Sequence, residues 1–402
     1  MNLKDLQSSA QQGMRRKKMA VLTLEDRERN YKAIRAMMED LEIDAMIVTG
    51  DGPLKYIGGE FYNTRWVYMV FFREEAFAPA AFVAGPGREY ILTLTNRNTP
   101  WYWVKDSRLN GPGAISGFLK ERSCETGRIG VTMRAMSAEM YENLKHDLPG
   151  AEFRVIDHPF DLVRQCKKGN ELTLLRRSPQ SVDICCSQLK DIVRPGITPN
   201  EIWGEWEKVM CSMGSTGTLN QIMVGKKDIS SVLPPWTCEQ IPLEKGDMAT
   251  CEITSSAGGY YTQKIQHFSL GNPPQIMLDM NAAVDEAVWA AADMIGPGVN
   301  AKHVLEKINE VIESRGFLSP AQFTSGPVSH MSGLEVDEGT FIPGEDHLYE
   351  EGMLFVIHPS AAVKGWTPGD YAMFGPGTMF LVTADGAESL NQFPNDFVVI
   401  DC

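Results

Sequence analysis

Histidine is scarce in this 402-residue chain, with seven in all, so imidazole chemistry has few places to sit. Five of the seven (His267, His303, His330, His347 and His358) fall after residue 260. The eight cysteines are scattered and contain no CxxC pair, which argues against a zinc ribbon or a disulfide framework and fits buried thiols in a reducing cytoplasm. No window approaches 18 consecutive apolar residues, so nothing reads as a membrane span. The basic cluster Arg15-Arg16-Lys17-Lys18 is followed only by the apolar stretch Met19 to Leu22, too short for a signal-peptide core, and a cytoplasmic location is expected. Positive charge is in deficit, with 38 Lys and Arg against 52 Asp and Glu and a formal charge of -14. That balance disfavours nucleic acid and membrane as partners and leaves a small-molecule substrate as the expected ligand. Low-complexity tracts and internal repeats are absent too, and with 43% hydrophobic and 22% charged residues the chain reads as globular.

Present instead are two differently patterned halves. Tyr31, Ile34, Met37, Met38 and Leu41 recur at helical spacing, and the apolar run Ala45 to Thr49 that follows reads as a buried strand. Further strand-like runs at Trp66 to Phe72, Ala76 to Ala84 and Tyr90 to Leu94 make the first 150 or so residues an α/β unit. A helical region begins near Asn170, is interrupted by Pro179 and ends at Pro195-Gly196. Thr198-Pro199 reads as an N-cap with proline in the first turn of the next helix. Strands are expected at Met248 to Ile253, Gly259 to Leu270, Met353 to His358 and Met379 to Thr383, and helices at Ile276 to Ile295 and Ala301 to Arg315. A boundary between Pro159 and Lys168 divides the chain into domains of 1–160 and 161–402.

The second half carries an ordered set of motifs: Gly246-Asp247-x4-Glu252, Gly259-Tyr260-Tyr261-Thr262-Gln263-x4-Phe268-x2-Gly271, His330-x2-Gly333-Leu334-x2-Asp337-Glu338, Gly352-Met353-x4-His358-Pro359 and Leu381-Val382-Thr383-x2-Gly386. In this order and spacing they resemble the pita-bread hydrolases, the family of methionine aminopeptidase, prolidase, aminopeptidase P and creatinase. Leu41 to Phe72 resembles the N-terminal domain of creatinase, and Arg164-x3-Lys168-x2-Glu171 resembles the inter-domain segment of the family. The resemblance implies an N-terminal creatinase-like α/β domain followed by a C-terminal pita-bread α+β catalytic domain, assembled as a homodimer with the active site near the subunit interface.

Peptidases of this family hold two divalent metals with Asp, Asp, His, Glu and Glu. At those positions this chain has Glu252, Gln263, His330, His358 and Gly377. Four carboxylates fall to one, which removes the negative charge that two dications need. Asp337 also stands where the peptidases have a substrate-contacting His. The chain is therefore similar in type to creatinase, which hydrolyses a carbon-nitrogen bond with side chains alone. Thr64-Arg65-Trp66 resembles the creatinase stretch whose Arg reaches into the neighbouring subunit and holds the substrate carboxylate, a task suited to a planar guanidinium fork. The loop that carries the catalytic His of creatinase corresponds here to Val232-Leu233-Pro234-Pro235, which has none.

The expected reaction is metal-independent hydrolysis of a non-peptide carbon-nitrogen bond in a small carboxylated metabolite, with no cofactor. Either His330 or His358 serves as general base, and Glu252 and Asp337 orient the imidazole or protonate the leaving group. Arg65, Gln263, Tyr261, His267 and Trp366 are the expected substrate-binding residues, His267 because it shares the strand face of Gln263 four residues on. Tyr260 and Trp236 are further candidates for an aromatic pocket. Three alternatives remain at this level: a lyase on the same fold, a hydrolase with one divalent metal held by Glu252, His330 and His358, and a non-catalytic ligand-binding relative.

Overall fold

The computed structural model describes residues 22–59, 67–83, 102–111, 113–215, 217–225, 232–233, 241–323, 328–339, 346–367 and 370–402. Arg65, Trp66, Trp236 and the run Tyr90 to Leu94 lie outside them. Contacts divide the chain into two units, Val21–Asn170 and one that includes Glu171–Cys402. The division falls at 170/171, beyond the expected 160/161, because a helix over Asp157–Gln165 runs through that point.

In the first unit, β1 (Ala45–Val48), β2 (Val67–Phe72), β3 (Ala80–Val83), β4 (Asp106–Leu109), β5 (Arg128–Val131) and β6 (Glu152–Val155) form one mixed sheet in the order β4-β3-β2-β1-β5-β6. Its central strand β1 runs parallel to β5 and antiparallel to β2. Every residue of β1 is buried, as a strand covered on both faces requires, which is why it reads as an unbroken apolar run. The helices are α1 (Leu24–Asp40), α2 (Asp51–Gly58), α3 (Ala114–Lys120), α4 (Ala138–Asp147) and α5 (Asp157–Gln165). The first begins with a capping box, in which Thr23 and Asp26 each accept a backbone N–H from the other.

The helical region from Asn170 is three pieces, α6 (Asn170–Leu175), α7 (Ser178–Ser187) and α8 (Leu189–Ile192). Pro179 sits in the first turn of α7, where its missing N–H costs nothing. Next comes α9 (Pro199–Ser212), started by a second capping box between Thr198 and Glu201. The strands β7 (Gln221–Gly225), β8 (Val232–Leu233), β9 (Met248–Ala257) and β10 (Tyr260–Leu270) lead to α10 (Gln275–Ala292), α11 (Ala301–Ser314) and α12 (Pro320–Phe323). The chain then adds β11 (Ser329–Met331), β12 (Leu354–Ile357), β13 (Ser360–Ala362), β14 (Ala372–Phe374), β15 (Thr378–Thr383), β16 (Gly386–Ser389) and β17 (Val398–Ile400).

These strands make a five-stranded sheet, β17-β10-β9-β7-β8, a four-stranded sheet, β11-β12-β15-β16, and the β13-β14 ribbon. The long β9-β10 hairpin has two chemically distinct faces, because side chains alternate along each strand. One face packs on α7, where the Ser181 hydroxyl donates to Ser255 Oγ at 2.8 Å and Thr262 Oγ1 donates to Ser178 Oγ at 2.9 Å. Lys264, fully buried, donates on this side to Asn395 Oδ1 at 2.5 Å. The opposite face carries Glu252, Thr254, Tyr261, Gln263, Ile265 and His267. Ile265 is tied to Gly377 by two backbone hydrogen bonds of 3.2 and 3.1 Å, joining this face to the start of β15.

Candidate active site

Glu252 and Gln263 meet across the hairpin because the register sets Gln263 opposite Thr254 and Ile265 opposite Glu252. Gln263 Nε2 donates to Glu252 Oε1 and, at 3.3 Å, to Thr254 Oγ1. Its amide oxygen faces His330 Nε2 at 3.1 Å, while His330 Nδ1 faces the Met331 carbonyl at 3.1 Å. Residues from three strands thus form one continuous line, Glu252, Gln263, His330.

His330 consequently has an oxygen opposite each ring nitrogen, and a neutral imidazole supplies only one N–H. Two proton arrangements complete the line. In one, His330 is charged and Glu252 ionised. In the other, the Gln263 amide is turned, so that its NH2 donates to a neutral His330 and its oxygen accepts from a protonated Glu252. Burial lowers the His330 pKa and raises that of Glu252, and both shifts favour the second arrangement.

His358 lies one residue beyond β12, with its ring centroid 5.2 Å from that of His330 and 4.8 Å from that of Phe374. Its buried Nδ1 has no hydrogen-bond partner. Burial, helped by the neighbouring His330, pushes its pKa down to about 3, so the ring is neutral at physiological pH. The space it occupies depends on Gly377. A Cβ at that position would come within 2.7 Å of His358 Cβ and 2.8 Å of Ile265 Cδ1.

The expected residues separate clearly. Glu252, Gln263, His330 and His358 are brought together. Asp337 is not: it is exposed, and its Oδ1 accepts the Gly339 N–H at 2.9 Å in a turn. Its reach toward His330 is its charge, which opposes the downward shift of that imidazole, so a direct proton-transfer role for Asp337 is corrected. Its neighbour Glu338 points inward and accepts the Leu334 N–H at 2.8 Å. His267 shares the strand face as expected, but its Nδ1 lies 3.0 Å from Asn281 Oδ1 and its Nε2 3.1 Å from the Phe374 carbonyl. It holds the backbone of Phe374 rather than presenting a nitrogen to a ligand, and burial pushes its pKa down to about 4. Tyr261 is half-buried with its hydroxyl against Gly217. Tyr260 donates to Glu171 Oε1 at 2.7 Å, and the Trp366 indole donates to the Asp370 carbonyl at 3.2 Å in the turn after β13. Thr254, Phe374 and Gly377 are site residues without a chemical motif of their own, although strand alternation from Glu252 already points to Thr254.

A pair of divalent metals does not fit this donor set. Gly377 has no side chain, Gln263 is neutral, and Glu252 is the one carboxylate at the five positions. The single-metal set of Glu252, His330 and His358 is corrected as well, because Gln263 stands between Glu252 and His330. Among the described residues, no three His, Cys, Asp or Glu side chains form a cluster that could hold a metal ion.

Residues 173–388, the stretch that contains all of these side chains, match metallopeptidase family M24. The chain belongs to family M24. Residues 31–166 match the creatinase/prolidase N-terminal domain, so this M24 protein has the two-domain, pita-bread organisation of its relatives. It is 25% identical over 350 residues to a Bacillus subtilis protein provisionally named a dipeptidase, covering 84% of this chain and 90% of that one. It is 22% identical over 296 residues to the ectoine hydrolase of Halomonas elongata, covering 70% and 72%. The X-Pro aminopeptidase of Thermotoga maritima shares the fold, with a TM-score of 0.77 and 16% identity over 92% of this chain and 99% of that one. The protein is thus an M24-family hydrolase by descent, with the altered side-chain set described above. Among the described residues, no helix is long and apolar enough to cross a membrane.

Proposed function

We propose that this M24 protein hydrolyses a non-peptide carbon-nitrogen bond in a small carboxylated substrate, using its own side chains and no metal in the bond-breaking step. The observation that carries this reading is His358: a buried, neutral imidazole with an unpartnered nitrogen, beside His330 and opposite a glycine that leaves it room. A water or substrate group that reaches this ring finds a nitrogen not committed to another residue. In the reaction, His358 takes a proton from water as the oxygen adds to the electrophilic carbon. Glu252, its pKa raised by burial, gives a proton to the departing nitrogen as the carbon-nitrogen bond breaks. The proton on His358 returns to Glu252 as products leave. The relatives include both proteins named as dipeptidases and one named as an ectoine hydrolase. Arg65, supplied across a homodimer interface, is the proposed carboxylate anchor from its sequence resemblance.

The test is a panel of N-acyl amino acids, small amides, cyclic amidines and Xaa-Pro dipeptides, assayed with and without EDTA in water enriched in oxygen-18. The expected result is turnover of a non-dipeptide that resists EDTA, places one solvent oxygen in the product and falls about 100-fold or more in His358→Ala. Unlabelled product would replace hydrolysis by elimination. Activity that follows a bound transition metal, prefers Xaa-Pro dipeptides or survives His358→Ala would refute the proposal.

A further inference from the structure

Beside the histidine pair lies a cavity of about 290 Å³ that the reaction above does not use. Four thioethers line it, from Met223, Met248, Met277 and Met373, together with the rings of Phe374 and Phe397. Among the described lining residues none is Lys, Arg, Asp or Glu, and Thr250 and Ser360 carry hydroxyls. His267 also lines it; its ring nitrogens face Asn281 and the Phe374 carbonyl, and its ring is stacked on Phe397 at 5.5 Å.

The cavity borders the candidate active site at Phe374. Phe374 contacts the His358 ring and also lines the cavity. Thr250 lies two residues before Glu252 on the same face of β9, and Ser360 lies two residues after His358, each a separation of about 7 Å along extended chain. An apolar cavity of about 150 Å³ accepts benzene, so this one has room for a phenyl group or a chain of about six carbons. Methionine side chains are unbranched and polarizable, which lets one site take either shape.

We propose that this methionine-lined cavity is the specificity subsite that receives an uncharged aliphatic or aryl group of the substrate while the bond to be broken lies at His358. The proposal rests on the hydrolytic reading for the second half of that statement, and its test is a binding measurement that needs no turnover.

The full-length protein, labelled with 13C in its methionine methyl groups, is titrated with acetamide, hexanamide and benzamide. Hexanamide and benzamide are expected to shift the resonances of Met223, Met248, Met277 and Met373. Each methylene buried should tighten binding about fourfold, which makes hexanamide stronger than acetamide on the order of a hundredfold. Met223→Trp, which fills the cavity, should bring hexanamide down to the level of acetamide. Equal binding of acetamide and hexanamide, or shifts confined to other methionines, would overturn the proposal even if the variant fails to fold, because the wild-type titration decides it. Loss of the reaction in the oxygen-18 experiment leaves this result unaffected, so the two readings fail separately.

Discussion

At the scale of single residues, the site is shaped as much by what Gly377 omits as by what His358 adds. Even a methyl group at 377 meets His358 Cβ and Ile265 Cδ1 inside contact distance. Gly377→Ala is therefore expected to destabilise the protein by about 1–3 kcal/mol, as overpacking of a dense interior does, and to lower kcat by displacing the His358 ring. Urea unfolding and steady-state kinetics on the same preparation check this, and an unchanged midpoint with unchanged kcat would show that the pocket yields freely. Gly377 and His358 were legible in the sequence as departures from a ligand set, and His330 as the position that keeps its residue type. The steric link between 358 and 377 was not, because it depends on Gly377 lying against the His358 end of β12.

At the scale of elements, the β9-β10 hairpin does the sorting. Alternation places Glu252, Gln263 and His267 on one face and Lys264 on the other, and this much follows from counting residues. Counting did not show that His267 spends both nitrogens on Asn281 and the Phe374 carbonyl, since those partners come from α10 and β14. Nor did it show that Asp337 closes a turn on its own Gly339. Helix starts were more readable, because a cap and its N–H donor lie within three residues of each other. Thr198→Ala removes the side-chain acceptor for the Glu201 N–H and should cost about 1 kcal/mol in urea unfolding. It should leave turnover unchanged; a loss of activity would mean that α9 influences the site.

For the whole molecule, burial of uncharged imidazoles links stability to pH. His358 and His267 have folded pKa values pushed down to about 3 and about 4, below the unfolded value near 6.5. Between those limits the unfolded chain binds more protons than the folded one, so stability is full above pH 6.5 and is lost as pH falls. From pH 6.5 to 5 the loss is about 2 kcal/mol for each of these two imidazoles. Glu252 acts in the opposite sense: its raised pKa makes the folded state the better proton binder above the usual carboxylate value, so its contribution declines as pH rises. Urea midpoints measured from pH 7 to pH 5 should fall, and the fall should be shallower in His358→Phe. An equal slope in that variant would contradict a buried neutral His358.

By itself, the sequence determined much of the helix and strand pattern, the division into an α/β unit and a β-rich unit, and family membership. Those properties rest on local periodicity, capping and the identity of residues at motif positions, all of which survive being read in one dimension. The tertiary structure decided which of the candidate residues work together. His330 meets Gln263 across 67 positions, and His267 meets the Phe374 carbonyl across 107. Such contacts arise only when two sheets and a ribbon pack against one hairpin face. Burial there lowers the pKa of His358 and raises that of Glu252, and packing leaves the methionine-lined cavity nearby.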